Sequence, residues 1–189
     1  LVQVDLLSRA ASLLDGQVRH RLSGEPKAQS GARLASIYML DRAPSKALEA
    51  LNISRQDNLP AKLRRKRRYL RARALLDAGR HAEALTAISG DDRPEALRIR
   101  AKVHADAGNW SKAADNLAAL LPDKPKDGES LSRSEIAGVM RQAVALTLAD
   151  DQEGLKRLDR RYGDAFGESQ EAETFDMLTE GDSSDPTQV

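Results

Sequence analysis

The chain has 189 residues, with 30 Lys and Arg against 29 Asp and Glu and a formal net charge of +1, a balance that argues against a nucleic-acid binder, which is usually basic as a whole domain. It has no cysteine, which excludes a disulfide framework and thiolate metal sites and is compatible with cytosol or periplasm. No apolar run approaches the ~18 residues of a membrane span, and only 3% of the residues are aromatic, so the expected single domain over 1–180 is one that needs no large aromatic core.

Ala, Leu, Arg, Asp and Glu dominate, and β-branched residues neither cluster nor alternate as a strand requires, so the predicted fold class is all-α, with about nine or ten helices. Val2 to Ser23 is a ready-made helix, closed by Gly24-Glu25-Pro26. With nothing before that helix to pack upon, and no basic-then-apolar leader at the start, the chain is expected to be a C-terminal module of a larger protein. Ala43-Pro44-Ser45 turns the next pair, and residues 52–60 form a polar loop ending at Pro60, which suits a helix start. Helices follow at about 60–78, 81–89, 94–107 and 110–121. Asp91-Asp92 reads as a cap before Pro94. Pro122 to Ser130 is the longest linker in the body. Ser132 or Ser134 caps a helix running to Ala149, and Gly154 to Arg161 supplies its return partner. Ser169 to Leu178 makes a last helix, and 181–189 reads as a disordered tail.

Two stretches are near-copies of each other. Ala74-Leu75-Leu76-Asp77-Ala78-Gly79-Arg80-His81-Ala82-Glu83-Ala84-Leu85 is echoed by Val103-His104-Ala105-Asp106-Ala107-Gly108-Asn109-Trp110-Ser111-Lys112-Ala113-Ala114. Each runs a small-residue helix into a Gly able to take the left-handed conformation, then a short polar bridge, then an Ala on a second helix. Ala35 to Leu48 reads as a third copy with Arg42 in place of the Gly. Ala145 to Leu155 reads as a fourth, with Asp150-Asp151 as the turn.

On these residues the chain resembles the tetratricopeptide (TPR) family, with copies at 26–52, 60–90, 94–121 and 132–162 and a capping helix at 169–178. The family's small positions fall on Ala72 and Ala84, then on Ala101 and Ala113; its apolar positions fall on Leu75, His104 and Leu117, with Trp110 at the turn. Small residues there let paired helices approach closely, and a larger side chain would overpack the seam by roughly 1 to 3 kcal/mol. Turn glycines at 79 and 108 lie closer than the standard repeat of about 34 residues, so the second helix of that copy should be about a turn short. The likeness is greatest to the C-terminal region of long alphaproteobacterial tetratricopeptide proteins. It spans about Val2 to Leu178, including Val4-Asp5-Leu6-Leu7 and Arg21-Leu22-Ser23-Gly24. The resemblance implies a TPR-like α-solenoid of antiparallel helix pairs in a right-handed superhelix. It also implies an exported protein, so the periplasm is favoured over the cytoplasm.

Charge is unevenly distributed. Lys62, Arg64, Arg65, Lys66, Arg67, Arg68, Arg71 and Arg73 crowd one helix, whereas 164–189 carries acidic residues and no basic one. The basic run reads either as a polyanion or acidic-peptide site or as a solvated face whose long side chains cover apolar surface. The solvated face is favoured, because only Tyr69 is interleaved where a nucleic-acid binder would place several stacking rings. In the acidic segment, Phe166, Phe175, Met177 and Leu178 fall at apolar positions. They either cap the last helix pair, the favoured reading because solenoid ends need covering, or bring the segment onto the cationic helix as an internal competitor.

His20, His81 and His104 are dispersed without metal-ligand spacing, His104 falls at a packing position, and no phosphate-binding glycine loop, nucleophile elbow or paired Asp motif is present. No cofactor, no metal and no enzymatic activity are expected. The expected function is a non-catalytic protein-interaction scaffold whose concave groove takes a protein or peptide partner of acidic character. The alternative is polyanion binding by the helix at 62–73. Carried over from the family, the groove-facing residues are Lys66, Tyr69, Arg73 and Leu76 in one copy and Glu95, Arg98, Lys102 and Ala105 in the next, with Gln29, Ala32, Ser36 and Met39 in the earlier one. The asparagines with which some members clamp a peptide carboxylate are missing from these positions.

Overall fold

Helix formers without β-patterned segments give helices throughout. The computed structural model describes residues 2–123, 125 and 129–180, and among them are ten α-helices and no strand. The expected disordered tail at 181–189 and the middle of the 122–130 linker lie outside the described residues. The chain divides into two compact units, Leu1–Asp91 and Asp92–Val189. The first holds α1 (Val2–His20), α2 (Gly24–Leu40), α3 (Pro44–Ile53), α4 (Ala61–Asp77) and α5 (His81–Ala87). The second holds α6 (Pro94–Asp106), α7 (Trp110–Ala118), α8 (Arg133–Leu148), α9 (Gln152–Tyr162), a 3-10 turn (Gly163–Phe166) and α10 (Ala172–Glu180). Within each unit, helices adjacent in sequence pack against one another.

Four helix pairs are joined by one and the same turn. Arg42, Gly79, Gly108 and Asp150 are left-handed, with φ of 53°, 72°, 72° and 55°. The amide that follows each donates to the carbonyl five residues back: Ala43 to Tyr38, Arg80 to Leu75 and Asn109 to His104 at 2.8 Å, and Asp151 to Leu146 at 3.0 Å. The left-handed residue itself donates three back, Gly79 to Leu76 at 2.9 Å for example. This double closure satisfies the orphan carbonyls of the first helix and reverses the chain at once. The next residue then takes ψ between 61° and 78° in all four turns, and the second helix begins. Glycine reaches the left-handed region without strain; Arg42 has a Cβ to accommodate there, at a cost of about 1 kcal/mol, and Asp150 belongs to the residue types that tolerate it best.

Several boundaries differ from the sequence reading. Gly24-Glu25-Pro26 does not close α1 but forms the first turn of α2, where a proline lacks no hydrogen bond the helix needs. Helices α5 and α7 stop at Ala87 and Ala118, short of 89 and 121. Asp91 is no cap: it is 3% exposed, and its carboxylate accepts from the Arg68 guanidinium and, at 2.8 Å, from the Tyr69 hydroxyl. Its neighbour Asp92 instead faces Arg100, at 3.3 Å. A buried carboxylate needs such partners, and these two anchor the chain after α5 onto α4.

The first unit is also held by a contact that no local pattern announces. Gly31 of α2 lies so close to the end of α3 that a Cβ there would sit 1.8 Å from the Ser54 hydroxyl oxygen. That fully buried hydroxyl donates to the Ala50 carbonyl at 2.6 Å and accepts from Arg67 of α4 at 3.0 Å. The same guanidinium donates to the Ala28 carbonyl of α2 at 2.6 Å and to the Leu51 carbonyl of α3 at 2.7 Å. One half-buried arginine therefore ties three helices, and burial first, then Arg71 nearby, push its pKa below the ordinary arginine value.

In the second unit Ser132 rather than Ser134 caps α8. Its hydroxyl accepts from the Glu135 amide, and the Glu135 carboxylate accepts from the Ser132 amide at 2.8 Å. The Ser132 hydroxyl first and its amide second, acting on the Glu135 carboxylate, hold it below the usual carboxylate range. Asp151 caps α9 through the Gly154 amide at 2.7 Å. Behind α8 and α9, the rings of Phe166 and Phe175 stack with centroids 4.3 Å apart. Both are buried, as is Tyr162, whose hydroxyl donates to the Pro122 carbonyl. Leu178 packs against this core, but Met177 does not: it is 67% exposed.

Two expectations follow for chemical denaturation. Gly79→Ala should destabilise the first unit by about 1 to 2 kcal/mol, because the new Cβ meets a left-handed backbone. Gly16→Ala, in the exposed middle of α1 where a Cβ meets open space, should stabilise it by about 0.5 to 1 kcal/mol; shifts of one sign at both positions would show the turn to be unstrained. In the second unit, Phe175→Ala should lower stability by about 3 to 5 kcal/mol. Met177→Ala should stay within about 0.5 kcal/mol, and similar losses for the pair would remove α10 from the core.

Candidate functional site

Helices α6, α7 and α8 enclose a groove of about 440 Å³ in the second unit, within the range of ligand-sized concavities. Its origin is the run of small residues. Ala101 and Ala105 on α6, Ala113 on α7 and Ala145 on α8 line it and leave volume that larger side chains would have filled. Trp110 and Leu117 of α7 form one apolar wall, and Met140 and Val144 of α8 form the other. Val144 is 44% exposed. With Met140 before it and exposed Leu148 after it, the spacing of four residues marks one stripe of α8. The buried face of that helix is a different one, made by Ile136, Val139, Ala143 and Leu146.

Three cations stand at the rim: Arg98, Lys102 and Arg141. Lys102 pairs with Asp106 and Arg98 approaches Glu95 at 3.7 Å, both one helical turn away on α6. These are exposed pairs, each worth about 0 to 1 kcal/mol, which an incoming carboxylate can displace. Arg141 donates to the Ala137 carbonyl of its own helix at 2.8 Å. The lining thus combines an apolar floor with cationic edges, and no acidic side chain lines it.

Of the residues expected from sequence to face a groove, Arg98, Lys102 and Ala105 line this one. Glu95, on the same helix, is half-buried and does not line it but approaches Arg98, and the remaining residues lie in the first unit and do not form one surface. Leu76 and Ala32 are core residues, 8% and 1% exposed, because each packs within the seam rather than on its open side. Tyr69 is half-buried with its hydroxyl committed to Asp91, and Ser36 donates to its own helix at Ala32. Lys66, Arg73 and Gln29 are exposed, and Met39 is half-buried. The basic run as a whole is not simply a solvated face. Lys62, Arg64, Lys66 and Arg73 are exposed, but Arg65, Arg67, Arg68 and Arg71 are half-buried, and Arg67, Arg68 and Arg71 hydrogen-bond to residues off α4.

Sequence reasoning missed the α8 wall. Its signal was present in Met140, Val144 and Leu148, three apolar residues at helical spacing off the face that the buried positions define. Among the described residues no group of His, Asp and Glu is placed to hold a metal ion, and no helix is long and apolar enough to cross a membrane.

His104 is half-buried beside the groove helices, with its carbonyl closing the α6–α7 turn. Burial first, then Lys112 and Arg100, lower its affinity for a proton below the ordinary value of 6.5. The folded state therefore binds fewer protons than the unfolded state just below that value, so stability should fall as the pH is lowered through 6.5. A urea midpoint measured across that range should show the decline, and His104→Gln should flatten it; an unchanged slope would place the imidazole in solvent. Comparison of the chain with family models, curated proteins and solved structures finds no match.

Proposed function

We propose that the chain is a tetratricopeptide-like α-solenoid, without catalytic activity, that holds a partner segment carrying both apolar and acidic side chains. The repeat reading is supported by the four equivalent turns. It is also supported by buried small residues at the seam positions Ala72, Ala84, Ala101 and Ala113 and by the shortness of α5 at seven residues. A helical repeat that builds its seams from alanine leaves concave surface between successive first helices, and such surfaces are used for holding partners. The observation that carries the binding role is the groove between α6, α7 and α8. Its floor is apolar, Val144 is left half in water, and only cations stand at its rim.

An occupant of this groove gains from burying aliphatic or aromatic side chains against Trp110, Leu117 and Val144, at about 25 cal/mol per Å² of apolar area. Carboxylates beside those side chains would meet Arg98, Lys102 and Arg141, which sets orientation and encounter rate more than affinity. A random peptide library panned on the whole chain should enrich sequences in which Asp or Glu alternates with Leu, Phe or Met. Val144→Asp should weaken an enriched peptide by about tenfold or more, the equivalent of ~1.4 kcal/mol. The charge reversal Arg98→Glu with Lys102→Glu should slow association and flatten its salt dependence. All three residues in these tests can change without touching the core. Affinity indifferent to both variants would abandon the groove as the binding surface.

A further inference from the structure

The end of α3, the connection to α4 and one face of α4 surround a cleft of about 430 Å³ in the first unit. Arg55, Arg64, Arg67, Arg68 and Arg71 all line it, and no carboxylate does. Positions 64, 67, 68 and 71 recur at three and four residues, so the helix presents them as one stripe, and Arg55 faces that stripe from the connection. Their present partners differ. Arg67 is consumed by Ser54 and the carbonyls of Ala28 and Leu51. Arg68 is shared with buried Asp91, yet its Nε is buried without an acceptor. Arg71 hydrogen-bonds the neutral amide of Asn52 and feels the Glu83 carboxylate only through longer-range attraction. The side chains of Arg55 and Arg64 make no hydrogen bond or ion pair among the described residues, their amides being bonded to the carbonyls of Asn52 and Pro60.

Five guanidiniums line one cleft with Asp91 bonded to one of them and Glu83 at longer range from another, and an anion bound in the cleft would relieve the repulsion that is left. We propose that this cleft is a binding site for a small, multiply charged oligophosphate. Arg55 and Arg64 would be its principal ligands and Arg71 a third. The choice of anion follows from the donors. Every cation lining the cleft is arginine, although Lys62 and Lys66 lie on the same helix, and the rigid fork of a guanidinium matches phosphate oxygens in pairs. One carboxylate offers two acceptor oxygens and one charge, too few for several forks, whereas a chain of phosphates offers many. The floor is aliphatic, from Leu51, Leu59 and Ala87, and no aromatic ring lines the site. A nucleobase therefore finds nothing to stack upon, which disfavours single-stranded nucleic acid. This site is built entirely within the first unit and does not depend on the groove between α6, α7 and α8.

Calorimetric titration of the whole chain with tripolyphosphate tests the proposal, with orthophosphate, polyglutamate and a single-stranded oligonucleotide as comparisons. One tripolyphosphate should bind per chain, more tightly than orthophosphate or polyglutamate. Arg55→Ala with Arg64→Ala should weaken it about tenfold or more. Arg64→Lys, which keeps the charge and loses the fork, should weaken it by a smaller factor. The control pair Lys46→Ala with Lys62→Ala removes the same charge from exposed positions on α3 and α4 outside the cleft, and should weaken binding less than ~threefold. Unchanged helical circular dichroism in each variant separates loss of binding from loss of fold. Absence of binding to tripolyphosphate would overturn the proposal. So would equal weakening by the two double variants, or tighter binding of the oligonucleotide with losses spread evenly over both, since either pattern describes a diffuse cationic surface.

Discussion

A single backbone event, one residue in the left-handed region followed by an amide that reaches back five residues, organises this protein. It occurs at Arg42, Gly79, Gly108 and Asp150. Because the chain reverses within three residues, the two helices it joins lie side by side with no loop to absorb bulk. The side chains at their seam must then be small, as Ala72, Ala84, Ala101 and Ala113 are, each nearly or fully buried. Alanine contributes little apolar area, so stability is gathered from many close contacts rather than from a few large rings. Only where the pattern ends, at Phe166 and Phe175, does an aromatic pair take over the core.

The groove is the reverse side of the same constraint. A helix that is all Ala at its seam cannot fill the space beside the seam, and between α6, α7 and α8 that space stays open. Closing it would need larger residues at positions such as Ala101 or Ala113, where they would overpack the helix pair before they filled the groove. Close helix pairing and an unfilled concave face are thus linked, and the fold leaves a groove without a specialised loop. The chemistry it offers is burial and charge.

Local signals were legible in the sequence, and distant ones were not. Gly79 and Gly108 announced their turns because glycine is the residue that reaches positive φ freely. Arg42 and Asp150 could be placed only by aligning their surroundings with those copies. The all-helical class followed from composition and the absence of period-two patterning. Burial was harder to read: Leu76 and Ala105 hold equivalent positions in two copies, yet Leu76 is core and Ala105 lines a groove. A leucine closes the space that an alanine leaves open, and which of the two happens depends on neighbours from other helices. Asp91 looked like a cap because it precedes Pro94, a local reading. Its actual partners, Arg68 and Tyr69, lie more than twenty residues upstream.

The basic helix shows most clearly why a charge run cannot be given one role. Arg67 and Arg64 lie one turn apart on α4, have the same side chain and line the same cleft. What separates them is the surroundings on α2 and α3. Gly31 lets the end of α3 come close enough for Ser54 and two carbonyls to surround the Arg67 guanidinium. A guanidinium tolerates that half-buried position because its charge is diffuse, weakly hydrated and met by three acceptors. Once held, it fixes α4 against both helices and fixes the orientation of the whole stripe. The direction in which Arg64 and Arg71 project is then a consequence of a neighbour's burial. A structural arginine positions the exposed ones, and both roles have to be assigned residue by residue along a single helix.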